Sequence, residues 1–151
     1  MSENLGKKFE GLVKEAFEKQ CFILRLYDTT NGYLNVANPC DFIAYDFPNM
    51  YMLECKSCYG TSLPITNISD NQRSSLLEAA KHGIIAGYLV WFIDKDRTIF
   101  INAEDLETYM LETGRKSLAW DDDKYSVDII GEKKRKFFNY DMHQFLERFK
   151  K

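Results

Sequence analysis

The sequence has no apolar run long enough to cross a lipid bilayer. A membrane-spanning helix needs about 18 apolar residues in succession, and the longest apolar run here covers only residues 84–93. The first residues, Met-Ser-Glu-Asn, are not followed by the apolar stretch of a secretory signal peptide. We therefore expect a cytoplasmic protein.

Histidine and cysteine are also scarce, with 2 and 4 residues respectively. Cys55 and Cys58 have the spacing of half a zinc site, but a structural zinc site needs four ligands. His82 and His143 lie far from this pair in the sequence. Because cysteines in proteins without a secretory signal are usually reduced, the sequence predicts free thiols instead of a zinc site or disulfides.

An overall positive charge is missing as well. The net charge is −3 and the isoelectric point is near 5.4, which argues against a protein held on nucleic acid by a strongly basic field. Three aspartates fill residues 121–123, whereas positive charge is concentrated at Lys133, Lys134, Arg135 and Lys136. This basic run has two interpretations: a solvated surface, or a contact for the phosphates of DNA.

The composition is that of a folded domain. Of the 151 residues, 45% are hydrophobic and 15% are aromatic, which excludes a disordered chain. The length suits one domain and is too short for two domains of ordinary size. Since no repeat, low-complexity segment or linker interrupts residues 1–151, we expect a single α/β domain.

Residues 38–57 predict a β-hairpin. Segments 41–46 and 50–57 are rich in aromatic and aliphatic residues, and they flank the turn signal Phe47-Pro48-Asn49. Apolar residues occupy both faces of these segments, which is typical of strands inside a covered sheet.

Three charged side chains interrupt this hairpin: Asp41, Glu54 and Lys56. Glu54 and Lys56 are two residues apart, so in a strand they project from one face about 7 Å apart. If the chain folds back at Phe47-Pro48, Asp41 lies opposite Glu54 and shares that face. The same register pairs Ile43 with Met52 and Tyr45 with Met50. A slip of one residue would move Asp41 to the other face.

Opposed carboxylates destabilise a sheet unless a positive charge lies between them. Mg²⁺ fits this position, because it binds one or two carboxylates together with waters and phosphate oxygens. Lys56 could then deprotonate or orient a water, or stabilise charge on a phosphate oxygen. The alternative is an exposed salt bridge of little consequence, but charges inside a covered sheet are costly and point to function.

The rest of the chain alternates between helical and extended patterns. Leu5, Phe9, Leu12, Val13, Ala16 and Phe17 form the apolar stripe of a helix at about residues 3–20. Ser69 and Gln72 have the capping-box pattern of a second helix, which ends near Gly83. Further expected elements are strands at 21–27, 84–93, 98–101 and 127–130, a turn at 131–132, and helices at 102–111 and 141–149.

These residues resemble a known family. A Pro two residues before Asp41, followed by Glu54-x-Lys56, is similar to the PD-(D/E)xK nuclease signature. Leu63-Pro64-Ile65, Asn67-Ile68, Gln72 and His82-Gly83 follow in the order found in RecU-type Holliday junction resolvases of Gram-positive bacteria and their phages. The resemblance implies a restriction-endonuclease-like fold, with an αβββαβ core and a central mixed sheet flanked by helices. A phage-encoded protein would act in the host cytoplasm.

The resemblance also implies a set of site residues. Asp41, Glu54 and the backbone carbonyl of Cys55 would hold Mg²⁺, with Mn²⁺ as a substitute. Glu10 and Gln72 would belong to the active site, although Glu10 could be only a carboxylate at the rim of its helix. Gln72 could likewise only bond back to the Ser69 amide. The family's projecting β-ribbon has at most residues 27–38 here, so it should be short.

The leading hypothesis is a metal-dependent endonuclease that cuts branched DNA, namely a Holliday junction resolvase. A four-way junction needs two matched incisions, and a homodimer with two-fold symmetry supplies two equivalent sites. A restriction-type or repair endonuclease acting on duplex DNA is the second hypothesis. A DNA-binding module without turnover is the third, and the retention of Asp41, Glu54 and Lys56 argues against it.

Overall fold

The computed structural model describes residues 4–27 and 38–150. Its strands are β1 (Phe22–Arg25), β2 (Phe42–Asp46), β3 (Asn49–Cys58), β4 (Ser62–Pro64), β5 (Ile85–Phe92), β6 (Arg97–Asn102), β7 (Ser117–Ala119), β8 (Val127–Asp128), β9 (Gly131–Lys134) and β10 (Phe137–Tyr140). Six of them form a central sheet in the order β1, β2, β3, β5, β6, β8. β3 and β5 are parallel and the other neighbours are antiparallel. The predicted mixed sheet is therefore confirmed.

The helices are α1 (Leu5–Glu18), α2 (Asp70–Lys81), α3 (Ala103–Thr113) and α4 (His143–Arg148). Asn4 caps the start of α1, since its side chain accepts a hydrogen bond from the Lys7 amide. Asn102 caps α3 by accepting one from the Glu104 amide. α3 ends at Gly114, where φ is 69°. All four predicted helices are present, although α4 is shorter than residues 141–149. Among the described residues, no helix combines the length and apolarity needed to cross a membrane.

Helices lie on both faces of the sheet and create two apolar cores. α1 and α4 pack on one face, where the large buried side chains include Phe9, Phe17, Tyr51, Trp91 and Phe145. α2 and α3 pack on the other face, over Leu76, Tyr88, Val90, Ile99 and Leu106. β5 lies between these layers and is buried almost throughout, as its continuous apolar sequence predicts.

The hairpin of β2 and β3 has the predicted register over most of its length. Ile43 opposes Met52 and Tyr45 opposes Met50. The predicted backbone pairing of Asp41 with Glu54 is wrong, because the ladder ends at Phe42. The Asp41 amide donates instead to the carbonyl of Leu53, at 3.0 Å.

The residues that the structure describes leave one face of β1, β2 and β3 largely uncovered. α1 packs against the opposite face, where Ile23 joins its core, and α2 packs mainly on β5. Large apolar side chains are consequently exposed on the uncovered side. We call this surface the open face; it consists of Phe22, Leu24, Tyr45 and Met50, which are 62%, 49%, 46% and 36% exposed. β1 is also an edge strand of the sheet.

Two small antiparallel pairs lie outside the central sheet. β4 pairs with β7, and β9 pairs with β10. The prediction of a turn at residues 131–132 is wrong, since these residues start β9. β9 is mostly exposed, so its sequence has no apolar alternation that would indicate a strand. The expected short ribbon at residues 27–38 falls almost wholly outside the described residues.

Candidate active site

Asp41 lies at the point where β2 meets the loop that precedes it. Its backbone is held from both sides, since its carbonyl accepts from the Leu26 amide at 2.8 Å and its amide donates to Leu53. Its carboxylate atom Oδ2 accepts a hydrogen bond from the Cys55 amide at 2.8 Å. The Asp41 side chain is thus hydrogen-bonded to the backbone of β3 and fixed beside this strand.

Glu54 is the most deeply buried acid of the site. Glu54 is only 3% exposed. Its carboxylate oxygen Oε2 accepts a hydrogen bond from Gln72 Nε2 at 3.0 Å and lies 3.1 Å from Lys56 Nζ. The other oxygen, Oε1, is buried and has no hydrogen-bond partner among the described residues. Since a buried charged oxygen is costly when left unpaired, Oε1 is available for a cation.

Gln72 forms the helix cap and contacts Glu54 at the same time. Its Oε1 accepts from the Ser69 amide at 3.2 Å, and the Ser69 hydroxyl accepts from the Gln72 amide at 3.1 Å. This is a complete capping box at the start of α2. The Nε2 group at the other end of the same side chain donates to Glu54. The cap and the site contact therefore do not compete.

Glu10 reaches the site from α1. Burial and the neighbouring Asp41 carboxyl raise the pKa of Glu10 to about 7, against the lowering effect of Arg25. Arg25 Nη2 donates to Glu10 Oε1 at 3.4 Å. Burial, followed by the charge of Glu54, also raises the pKa of Asp41. Burial raises the pKa of Glu54, although Lys56 opposes that rise.

Two clefts meet at these carboxylates. One has a volume of about 450 Å³ and extends past Lys56 and Ser57. The other has a volume of about 380 Å³ and extends past Arg25 and Gln72. The residues common to both clefts are Lys7, Glu10, Asp41 and Glu54. The acidic groups therefore lie on the boundary between the two clefts. Each cleft also has a positively charged side chain of its own, Lys56 in one and Arg25 in the other.

The oxygen atoms at this boundary suit a hard cation. Among the described residues, no three His, Cys, Asp or Glu side chains are arranged to hold a metal ion unaided. Mg²⁺ does not require such a cage, because waters and phosphate oxygens complete its coordination. Asp41 and Glu54 supply carboxylates. The Cys55 amide donates to Asp41, and because the amide and carbonyl of one strand residue point to the same side, we expect the Cys55 carbonyl to face Asp41 as well.

The basic run lies apart from both clefts. Lys133 and Lys134 are in β9, and Arg135 and Lys136 form the turn to β10. Lys133 pairs with Asp96 at 2.7 Å, and Lys134 pairs with Glu132 at 2.8 Å. Lys136 lies 5.5 Å from the centre of the Phe137 ring. None of the four residues lines either cleft.

Sequence reasoning missed two cations of the site, Arg25 and Lys7. Arg25 is opposite Phe42 in the pairing of β1 with β2, which places it near Asp41. That pairing has no signal in the sequence, because the connection between the two strands is long. Lys7 follows Asn4 in the first turn of α1, and only the packing of this helix brings it to the clefts. The four cysteines are free thiols, as predicted.

The carboxylate cluster gives a testable dependence of stability on pH. Between the ordinary pKa of 4.5 and the folded-state value of about 7, the folded chain holds a Glu10 proton that the unfolded chain releases. The free energy of unfolding should therefore fall as the pH rises through this range, with about 1–2 kcal/mol due to Glu10 once solvent screening of this half-buried group is included. Urea unfolding in the presence of a chelator measures this. In Glu10→Gln the dependence should be shallower, and an unchanged slope would contradict the assignment.

Comparisons with known proteins agree with this architecture. Residues 13–144 match the family model of RecU, described as recombination protein U. A comparison with curated protein sequences gives no significant match. Among solved structures, the chain is similar to Hjc of Archaeoglobus fulgidus, described as a Holliday junction resolvase from an archaeal hyperthermophile. The TM-score is 0.50, the identity is 19%, and the alignment covers 82% of this chain and 88% of that chain. At this identity the likeness concerns the fold.

Proposed function

The chain belongs to the recombination protein U family of Holliday-junction-resolving nucleases, and on that premise we propose that Asp41, Glu54 and Lys56 carry out the hydrolysis of DNA phosphodiesters. The observation that carries this proposal is the environment of Glu54. This buried carboxylate has two donors on Oε2 and none on Oε1, and two further carboxyl groups, Asp41 and Glu10, adjoin it.

Asp41, Glu54 and the Cys55 carbonyl would hold Mg²⁺, with Mn²⁺ as a substitute. When bound, the ion lowers the pKa of a water and neutralises charge on the scissile phosphate. The raised pKa values of Glu10, Asp41 and Glu54 support this assignment, since a divalent cation would relieve the crowding of negative charge.

The chain's own residues would then orient the reactants. Lys56, on the wall of one cleft, would hold the attacking water or stabilise the charge that develops on the phosphate oxygens. Gln72 would keep Glu54 in place. Water adds to the phosphorus, the bond from phosphorus to the 3′ oxygen breaks, and the leaving oxygen takes a proton. The products are a 3′ hydroxyl and a 5′ phosphate.

A cleavage assay with a synthetic four-way junction and Mg²⁺ tests the function. We expect paired incisions in the junction and much slower cutting of its component duplexes. Equal cutting of the duplexes would indicate a restriction-type or repair endonuclease instead. A junction that is bound but never cut would indicate a DNA-binding module.

We propose further that the protein acts as a homodimer through the open face. Because a fully exposed aromatic side chain presents about 150–250 Å², the four residues of this face and the adjoining Phe47, which is 77% exposed, offer roughly 500 Å² of apolar surface. A dimer interface buries about 800 Å² per partner, of which about 65% is apolar. The face therefore has the right size and character for a two-fold interface.

Placing a charge in the open face should disrupt this dimer. Leu24→Arg buries an unpaired guanidinium at the interface, so the dissociation constant should rise about 100-fold or more. Leu111→Arg is the matched control, because Leu111 lies in α3 and is 86% exposed. Sedimentation equilibrium measures both variants. A monomeric wild type would disprove the homodimer, and an unaffected Leu24→Arg dimer would place the interface elsewhere.

We also propose that Lys133, Lys134, Arg135 and Lys136 contact the phosphates of a junction arm. Their hairpin packs on the helix that carries Glu10, where Tyr140 lies 5.9 Å from Phe9 between ring centres. Lys8 of α1 lies over the Phe137 ring, as Lys136 does. Basic side chains thus extend from Lys7, beside the carboxylates, along the first turns of α1 to the hairpin.

A further inference from the structure

Ser69 lines neither of the two clefts at the carboxylates. It contacts Gln72, which in turn contacts Glu54. We infer that Ser69 is a positioning residue, which fixes the side-chain amide of Gln72 so that its NH₂ group faces Glu54. The inference rests on the proposed function for its effect on catalysis, although the contacts themselves are independent of it.

The contacts form a continuous chain from the cap to the carboxylate. The Ser69 backbone amide donates to Gln72 Oε1 at 3.2 Å, and the Gln72 backbone amide donates to Ser69 Oγ at 3.1 Å. Gln72 Nε2 then donates to Glu54 Oε2 at 3.0 Å. Each end of the Gln72 side-chain amide therefore has a different partner, and the two partners favour the same orientation.

The orientation matters because a glutamine amide has two nearly isosteric ends. The terminal torsion of glutamine is broad and roughly two-fold, so rotation by 180° exchanges the oxygen and the NH₂ group. In the rotated form the amide oxygen would face the Glu54 carboxylate and repel it. It would also present an NH₂ group to the Ser69 amide, which is itself a donor. The Ser69 backbone amide thus favours the orientation in which the Gln72 NH₂ group faces Glu54.

This selection decides which oxygen of Glu54 remains available. Gln72 and Lys56 both hold Oε2, and Oε1 is left buried without a partner among the described residues. If Gln72 turned, Oε2 would lose one donor and the carboxylate would be free to rotate. Partners that orient a metal ligand typically contribute 10- to 100-fold to metal affinity. We therefore expect the cap of α2 to influence metal binding at β3.

Ser69→Pro is the variant that tests this inference most directly. Proline removes the amide hydrogen and the hydroxyl together, so both bonds of the capping box are lost. The backbone accepts proline here, because φ of Ser69 is −69° and proline prefers about −65°. The preceding Ile68 has φ −103° and ψ 123°, within the region allowed before proline.

Asn102→Ala is the matched control. Asn102 caps α3 through a 2.8 Å bond from the Glu104 amide, and it has no contact with Gln72 or Glu54 among those described. Removing this cap destabilises a helix of similar length without touching the site. Ser69→Thr, which keeps both the amide and a hydroxyl, should behave like the wild type.

Two readouts separate positioning from stability. Nuclear magnetic resonance of the Gln72 side-chain amide, recorded with a chelator present, should show a fixed group in the wild type and Asn102→Ala, and a mobile group in Ser69→Pro. Calorimetric titration with Mg²⁺ should give about 10-fold weaker binding to Ser69→Pro, and unchanged binding to Asn102→Ala despite its lower melting temperature.

A fixed Gln72 amide in Ser69→Pro, or equal losses of Mg²⁺ affinity in Ser69→Pro and Asn102→Ala, would overturn the inference. If Ser69→Pro fails to fold, the wild type and Ser69→Ala decide the question. Both keep the Ser69 backbone amide that bonds to Gln72 Oε1, so the Gln72 side-chain amide should be fixed in both, and a mobile group in either would overturn the inference. A wild type that binds no Mg²⁺ would contradict the proposed metal site, whereas the resonance of Gln72 would still decide the role of Ser69.

Discussion

Glu54→Gln should lower the rate of junction cleavage by about 1,000-fold or more while leaving folding and DNA binding intact. The substitution keeps the shape of a side chain that is 3% exposed and removes its charge. Loss of a cation ligand removes several kcal/mol of transition-state stabilisation. Because burial raises the pKa of Glu54, a neutral side chain should be tolerated well by the fold.

Single-turnover cleavage at saturating enzyme measures this effect without interference from binding. Glu78→Gln is the control, because Glu78 lies on the exposed side of α2 and pairs only with His82 in the described contacts, at 3.1 Å. Its cleavage rate should equal that of the wild type. A loss of less than 10-fold in Glu54→Gln would show that this carboxylate is not part of the catalytic machinery.

Lys56→Met should reduce the cleavage rate by about 100- to 1,000-fold, the usual contribution of one charged group that stabilises a transition state. Methionine preserves most of the side chain's length and apolar packing, so the loss reports the ammonium group. Lys56 Nζ lies 3.1 Å from Glu54 Oε2 and the side chain is 20% exposed. A buried anion therefore holds the ammonium group beside the carboxylates, on the wall of the cleft that extends past Ser57.

Mg²⁺ titration distinguishes loss of the Lys56 ammonium group from a displacement of Glu54 that weakens metal binding. In Lys56→Met the rate at saturating Mg²⁺ should stay low, whereas a defect limited to the position of Glu54 should be overcome by more Mg²⁺. Lys14→Met serves as the control, since Lys14 pairs with Glu18 on the exposed side of α1. Cleavage by Lys56→Met at a rate within a few-fold of the wild type would refute the catalytic role of Lys56.

The sequence predicted the parts of the fold that have local signals. The Phe47-Pro48 turn determines the register of β2 and β3, and Ser69, Asn102 and Gly114 mark helix ends. Asp41, Glu54 and Lys56 could be found because charge is conspicuous in an apolar hairpin. The predicted register was correct, but the backbone pairing of Asp41 with Glu54 was not, because the ladder begins one residue later, at Phe42.

Features that depend on packing were not predictable. Arg25 reaches Glu10 through the pairing of β1 with β2, and no local pattern indicates that pairing. β9 is exposed and polar, so it lacks the alternation by which strands are recognised. The open face follows from where α2 lies on the sheet, which the amino-acid pattern of β1 alone does not reveal.

At the metal site proposed above, the crowding of Glu10, Asp41 and Glu54 should make protons and divalent cations compete for binding. With the pKa of Glu10 at about 7, a neutral solution leaves part of this group protonated, and a cation bound at the neighbouring Asp41 and Glu54 should displace that proton. Uptake of the ion is then accompanied by acidification of the medium, and a small drop in pH weakens ion uptake. Incision would thereby respond to the acidity of its surroundings without any separate regulatory site.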